Sequence, residues 1–257
     1  MLILLSNDDG IQATGLNVLR QALAPLGEIY VVAPERERSG IGHGITVHKP
    51  LRLKEVRYPD GSSGWSVNGT PADCVKLAVE ALLPAMPDIV VSGINQGPNL
   101  GTDVIYSGTV SAAIEGMING FPSLAISLAT YEHDDFTYAA SFAARLIPLL
   151  VKNAPVKTVI NVNVPPGKPV GVKVTRLANR RYVNIVHKRV DPRGRPYYWM
   201  AGEPEDSVPE NPAAEVSTDV EAVKKNYISI TPLHFDLTDY KNIDKMQALV
   251  PKLENCL

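Results

Sequence analysis

The first 165 residues alternate short apolar runs with apolar residues at helical spacing. Residues 2–5 (LILL) are an uninterrupted apolar run, as a strand covered on both faces requires. Leu16, Leu19, Leu23 and Leu26 follow at intervals of three or four, which marks one face of a helix. A second run at 29–33 (IYVVA) is stopped by Pro34. Thr70-Pro71-Ala72-Asp73 carries a helix start, with a hydroxyl N-cap, proline at the first helical position and a carboxylate at the third. Val75, Leu77, Ala78, Val79 and Leu82 supply that helix's apolar side. A third run at 89–91 ends in Ser92-Gly93, and the pattern at 110–118 predicts a helix after Gly108. A fourth run at 124–126 precedes a helical stretch over roughly 138–151, and the alternating 159–164 (VINVNV) predicts a fifth strand. Strands alternating with helices imply parallel βαβ units, hence a three-layer α/β/α sandwich around a mostly parallel sheet.

The pattern changes after residue 165. Residues 170–177 predict a strand, and 180–202 a strand–turn–strand unit with its turn at Asp191-Pro192-Arg193-Gly194. Residues 203–215 carry three prolines and predict a loop. Residues 228–231 return as a strand, and 237–257 form a polar, partly helical end. The expected division is a catalytic core over 1–165 and a sheet extension, hairpin and C-terminal arm over 166–257, together one structural domain.

Composition narrows the class. The 257 residues carry 25 Lys and Arg against 27 Asp and Glu, a net charge of −2. That argues against bulk electrostatic capture of nucleic acid or membrane. At 45% hydrophobic and 20% charged the chain is ordinary globular material. Its two cysteines, Cys74 and Cys256, stand far apart without CxxC spacing, so neither a disulfide framework nor a thiolate zinc site is expected. No apolar run reaches the roughly 18 residues of a membrane span. The N-terminus reads as a buried strand and not as a leader peptide.

Candidate chemistry sits where strands end. Asn7-Asp8-Asp9-Gly10 follows the first strand directly, and ligands of open α/β sheets bind outside the carboxyl ends of strands. Two adjacent carboxylates there read either as oxygen ligands for a hard divalent metal or as a capping loop with one solvated acid. The second strand leads into Pro34-Glu35-Arg36-Glu37-Arg38-Ser39-Gly40-Ile41-Gly42-His43-Gly44, with three glycines and a hydroxyl. The third leads to Asn95 and Asn99 in a Gly-rich loop, whose amides serve a metal or a phosphate. Ser107-Gly108-Thr109 opens a helix, where hydroxyls and free N–H groups make an anion site or a simple cap. Three such loops together describe a hard metal beside a phosphate cradle, suited to phosphoryl transfer or hydrolysis. No GxxxxGK[ST], no GxGxxG after the first strand and no GxSxG occurs. Ser39 and His43 are a weak match to triad geometry, so His43 reads as a loop-fixing group. His48, His133, His187 and His234 read as structural or surface residues, and Cys74 as core.

Five ordered segments resemble the SurE (survival protein E) family of nucleotidases: LLSNDDGI with its strand, VVAPERERSGIGHGIT (31–46), NGTPADCVKLA (68–78), PDIVVSGINQGPNLG (87–101) and YSGTVSAAIEG (106–116). The resemblance is dense over the first half and looser beyond it. It implies a Rossmann-like core and a phosphomonoesterase acting on nucleoside 5′- and 3′-monophosphates, with exopolyphosphatase activity in some members. It also implies a cytoplasmic homodimer or homotetramer, with exchange of the C-terminal tail between subunits. Carried over residue by residue, the metal ligands would be Asp8, Asp9, Ser39 and Asn95, holding one Mg²⁺ or Mn²⁺ per subunit. The phosphate surroundings would be Asn7, Gly40, Asn95, Ser107, Gly108 and Thr109. Asp8 and Asp9 are the candidate catalytic residues, with Asp8 either a base for water or a nucleophile. Haloacid-dehalogenase-like enzymes place two aspartates at i and i+2, whereas these are adjacent, which favours water. The rival readings are a non-catalytic nucleotide- or metal-binding regulator on the same fold and, from the basic and aromatic residues of 180–199, a single-strand nucleic-acid binder. The negative net charge favours reading that segment as an oligomerisation hairpin.

Overall fold

The computed structural model describes residues 1–257 except 133–134, 154, 156, 184, 201, 207–215 and 255–257. His133 and Cys256 therefore lie outside the described residues, as does most of the proline-rich loop. The strands are β1 (Leu2–Ser6), β2 (Glu28–Pro34), β3 (Leu53–Arg57), β4 (Ser63–Val67), β5 (Ile89–Gln96), β6 (Ser123–Leu128), β7 (Val159–Val164), β8 (Gly171–Val174), β9 (Arg180–Val183), β10 (Val186–Val190), β11 (Pro196–Met200), β12 (Glu203–Asp206) and β13 (Tyr227–Leu233). The helices are α1 (Thr14–Leu23), α2 (Pro71–Leu77), α3 (Gly108–Ile118), α4 (Thr137–Asn153), α5 (Asp219–Lys224), α6 (Ile243–Gln247) and α7 (Val250–Glu254).

Among the described residues one sheet of nine strands runs in the order β3-β4-β2-β1-β5-β6-β7-β13-β8. The ladders from β4 through β7 are parallel. β3 joins antiparallel at one end and β13 antiparallel to β7 near the other. Alternation along each strand sorts the core into two layers. Ile3, Leu5, Ile89, Val91, Leu124 and Ile126 face α1 and α4, meeting Leu16, Leu19, Leu23 and Ile147. Leu4, Val32 and Val90 face the opposite way, against Cys74 and Val75 of α2 and Ala112 of α3. This is the α/β/α sandwich that the alternation of elements implied, and Cys74 is core.

The predicted helix starts have their expected causes. Thr70 and Asp73 form a reciprocal capping box, Thr70 Oγ1 accepting from Asp73 N–H and Asp73 returning to Thr70 N–H. Sequence reasoning passed over the β3–β4 hairpin and α5, and it assigned 203–206 to a loop. Residues 203–206 are instead strand β12, paired antiparallel with β9. Together with the β10–β11 ladder this makes one arm with its turn at Asp191-Arg195. Among the described residues no helix is long and apolar enough to cross a membrane.

Candidate active site

The strand order reverses between β1 and β5. From β1 the chain proceeds outward to β2, and from β5 it proceeds outward the other way to β6 and β7. The carboxyl ends of these two strands therefore part and leave a crevice, the usual ligand position in open α/β sheets. Asn7-Asp8-Asp9-Gly10 leaves β1 at that point, and Asn95-Gln96 ends β5 there.

Each sequence-predicted residue has a definite place. Asn7 is fully buried and closes the turn, its Nδ2 donating to Gly10 O (3.0 Å) and its Oδ1 accepting from Gly10 N–H (3.2 Å). Asp8 is 4% exposed. Its carbonyl accepts the Arg38 N–H (2.7 Å), which docks the loop after β2 and puts Ser39 next door. Its Oδ1 accepts the Thr109 hydroxyl from the first turn of α3. Gly108 makes this approach possible, because a Cβ there would lie 2.7 Å from the Asp8 Cβ. Asp9 is half-buried, and its Oδ2 accepts the Gln96 N–H (3.4 Å), which ties it to the end of β5 beside Asn95. Asn95 Nδ2 donates to Gly97 O (2.8 Å), so the NH₂ side of the amide is engaged by the loop. Ser39 is exposed and its hydroxyl donates to Glu37 (2.8 Å). Ser107 Oγ caps α3 by accepting the Val110 N–H (3.1 Å). Thus one backbone bond, Arg38 to Asp8, and one backbone-to-carboxylate bond, Gln96 to Asp9, tie the segments that carry Ser39 and Asn95 to the end of β1.

The electrostatics are one-sided. Burial pushes the Asp8 carboxyl up, and the Thr109 hydroxyl and N–H pull against it. Asp9 is pushed up to about 7, first by burial, then by the adjacent Asp8 charge, with Glu37 adding to it. Among the described residues, the charged neighbours that act on Asp9 are thus all acids. Two carboxylates held this way need a cation or protons to compensate them. Oxygen donors alone (carboxylates, a hydroxyl, an amide carbonyl) suit a hard divalent ion. Among the described residues no three His, Cys, Asp or Glu side chains gather as metal ligands, so a site at Asp8 and Asp9 would need further oxygen donors of the kind Ser39 and Asn95 carry. The residues present fit the group.

A cavity of about 540 Å³ opens beside Asp9, lined by Ala13, Thr14, Glu37, Gln96, Glu132 and Phe136. Glu37 was read in the sequence only as part of a charged loop. A second feature escaped the sequence reading altogether. Asn161 and Asn163 of β7 are fully buried and both donate to Asn99 O (3.0 Å each), while Asn99 Nδ2 donates to Ser127 (2.8 Å). This ladder fixes the loop after β5. The signal for it was present, since asparagine is a poor strand residue and two occupy one face of β7.

The chain is similar to known proteins over nearly its whole length. The family model described as Survival protein SurE matches residues 3–184. A protein of Pelotomaculum thermopropionicum named 5′-nucleotidase SurE is 61% identical over 251 residues, covering 97% of this chain and 95% of that one. One of Moorella thermoacetica with the same name is 54% identical over 253 residues, covering 96% and 95%. The crystal structure of a SurE protein from Aquifex aeolicus superposes with a TM-score of 0.81 at 42% identity, covering 97% of this chain and 99% of that one.

Proposed function

This chain belongs to the SurE family, and on that basis we propose that it is a 5′-nucleotidase releasing phosphate from nucleoside 5′-monophosphates at the β1/β5 crevice. The observation that carries the reading is the pair Asp8–Asp9, surrounded by acids and hydrogen-bond donors at the sheet's switch point. The name shared by relatives at 61% and 54% identity supports it.

Asp8, Asp9, Ser39 and Asn95 are the residues that would hold one Mg²⁺ or Mn²⁺. When bound, such a cation neutralises phosphoryl charge and lowers the pKa of an attacking water. The chain's own groups do the rest. The phosphate lies between the Ser39–Gly40 loop and the start of α3, where Ser107 offers its hydroxyl and the first turn at Gly108 and Thr109 its backbone N–H groups, with Asn7 shaping the turn beneath. Thr109 holds Asp8 in a fixed orientation. Because that carboxylate is already engaged and buried, Asp8 acts as base for water and does not attack phosphorus itself. Trapping a phosphorylated Asp8 would overturn this assignment. Nucleoside 3′-monophosphates and polyphosphate extend the substrate range of the same site. The protein works in the cytoplasm as a homodimer or homotetramer, joined through the arm and the C-terminal tail; 1–165 is the catalytic unit and 166–257 the assembling one.

The test is phosphate release from a panel of nucleoside 5′- and 3′-monophosphates, polyphosphate and a generic phosphomonoester, with Mg²⁺, Mn²⁺ or chelator. Release from 5′-monophosphates that chelator abolishes, and that Asp8→Asn abolishes, is the expected result. Nucleotide binding in calorimetry without release under either metal would replace the enzyme with a regulator.

A further inference from the structure

The segment 39–46 (SGIGHGIT) has no regular structure and holds three glycines within five residues. Gly40 and Gly42 sit at φ +71° and +59°, conformations that favour glycine. Such a chain has high conformational entropy, yet Ser39 at its start must present a hydroxyl at a fixed point. Backbone anchors hold its start and one point within it. Arg38 N–H donates to Asp8 O (2.7 Å) just before the segment, and Gly42 N–H donates to Tyr106 O (3.0 Å) inside it. Further along, the Thr70 hydroxyl donates to Gly44 O (2.7 Å) and Thr46 N–H donates to Asp73 (2.9 Å).

Within the glycines, the polar side chain that reaches into the protein is His43. Its Nε2 lies 2.9 Å from Glu115 Oε2. Glu115 is 4% exposed, and a carboxylate so buried has to be paired. Its Oε1 accepts from Lys76 Nζ (3.2 Å) and from Asn119 Nδ2 (3.1 Å). One carboxylate thus joins the loop, α2 and α3. Glu115 also sits on the helix that begins at Ser107-Gly108-Thr109, six residues below Thr109, or about 9 Å along the axis. The His43 contact is the largest cause holding the Glu115 carboxyl below its ordinary range, with Lys76 adding to it.

We propose that Glu115 and His43 are positioning residues for the cation-binding hydroxyl of Ser39, clamping the glycine-rich segment to the helix whose first turn faces Asp8. The inference rests on the reading of Ser39 as a ligand. Neither residue touches a reacting atom. Without the clamp, Ser39 samples many positions and its contribution to cation binding falls.

The test is a double-mutant cycle read by isothermal titration calorimetry with Mn²⁺ alone. His43→Ala is expected to weaken Mn²⁺ binding roughly tenfold, the scale of outer-sphere losses. Ser39→Ala weakens it too. In the Ser39→Ala background, adding His43→Ala is expected to change affinity by less than about twofold, because the interaction is no longer there to lose. His43→Gln, whose Nε2 can reach Glu115, is expected to recover most of the affinity, and Glu115→Gln to lose less than His43→Ala. Should His43→Ala fail to melt cooperatively, His43→Leu, which keeps bulk without a bond to Glu115, takes its place. Additive losses in the double variant, or wild-type affinity in His43→Ala, would overturn the proposal. Calorimetry reads binding without turnover. A wild type that binds Mn²⁺ but releases no phosphate therefore defeats the nucleotidase reading alone, whereas a wild type with no Mn²⁺ binding defeats both.

Discussion

The crevice at the end of β1 and the arm built from β9 to β12 place their side chains in opposite ways. In the crevice polar groups go inward: Asp8, Ser107 and Thr109 are nearly or fully buried, and each has a hydrogen-bond partner in the chain. In the arm apolar groups go outward: Tyr198, Trp199 and Met200 of β11 are 58%, 63% and 81% exposed. Burying a polar group costs free energy unless it is bonded. Leaving apolar surface in water forgoes about 25 cal/mol per Å². The crevice is therefore a geometry fixed in advance by the fold, whereas the arm is a surface whose stabilisation comes only when something covers it. Changes in the crevice should act on chemistry and cation binding, and changes in the arm on association.

The largest expected effect is at Asp9. Replacing it by Asn removes one of two adjacent carboxylates that burial and mutual repulsion disfavour. Turnover of nucleoside 5′-monophosphates should fall on the order of 10²–10³-fold. In chelator at pH 8 the same variant should melt about 2–4 °C higher than wild type, corresponding to roughly 1 kcal/mol for a domain of this size. Wild-type activity, or a lower metal-free melting temperature, would mean that the pair is not strained and not a ligand pair. A structural acid would lose stability on this change, so the opposite signs separate the two roles.

A smaller effect follows from the same shift. Burial and the neighbouring Asp8 charge push the Asp9 carboxyl up to about 7 in the folded protein, from 3.8 for an unperturbed aspartate. Between those values the native state holds a proton that the unfolded chain has released. Stability in chelator should therefore fall as pH rises from about 4 to 7, with a slope of at most about 1.4 kcal/mol per pH unit for one group, and level off above. Asp8 is shifted in the same direction and adds to the trend. Excess Mg²⁺ binds the ionised native form and should raise stability most at pH 8. Melting curves across pH with and without Mg²⁺ read both. A flat chelator profile would contradict the buried, uncompensated pair.

What the sequence disclosed follows the same division. The parallel core was legible because β1, β2, β5 and β6 are apolar on both faces, a demand no loop or exposed helix makes. The Thr70 start was legible because a capping box is local. The acidic strand end was legible because strand polarity alone puts Asp8 and Asp9 at the crevice. The β3–β4 hairpin was missed because edge strands carry charge to avoid further pairing, and Lys54, Glu55 and Arg57 are exposed there. VINVNV reads as alternating inside and outside, yet Asn161 and Asn163 are buried against Asn99. The sequence put Ser107 and Thr109 at a helix start but did not show that the Thr109 hydroxyl reaches back to Asp8 while Ser107 caps the helix. Periodicity shows which face is covered but not which polar groups meet beneath the cover.

The smallest effect on chemistry is expected in the arm. Its base is tied down, with Arg180 bridging Asp103 (2.9 Å) and Asp206 (2.8 Å) and the Tyr182 hydroxyl donating to Asp103 (2.9 Å). Trp199 lies beyond that base, paired with His187 across the β10–β11 ladder. Trp199→Ser should leave the base and the core intact, so the melting temperature of dilute protein should correspond to a change within about 0.5 kcal/mol. Activity per site should stay within about twofold. Light scattering at high concentration should instead show a lower mean mass than wild type, because on the proposed assembly through the arm the substitution removes apolar area that a neighbour would cover. An unchanged mass with unchanged activity would take the arm out of assembly. An unchanged mass with activity lost tenfold or more would place the arm over the crevice, and the separation between the two regions would fail.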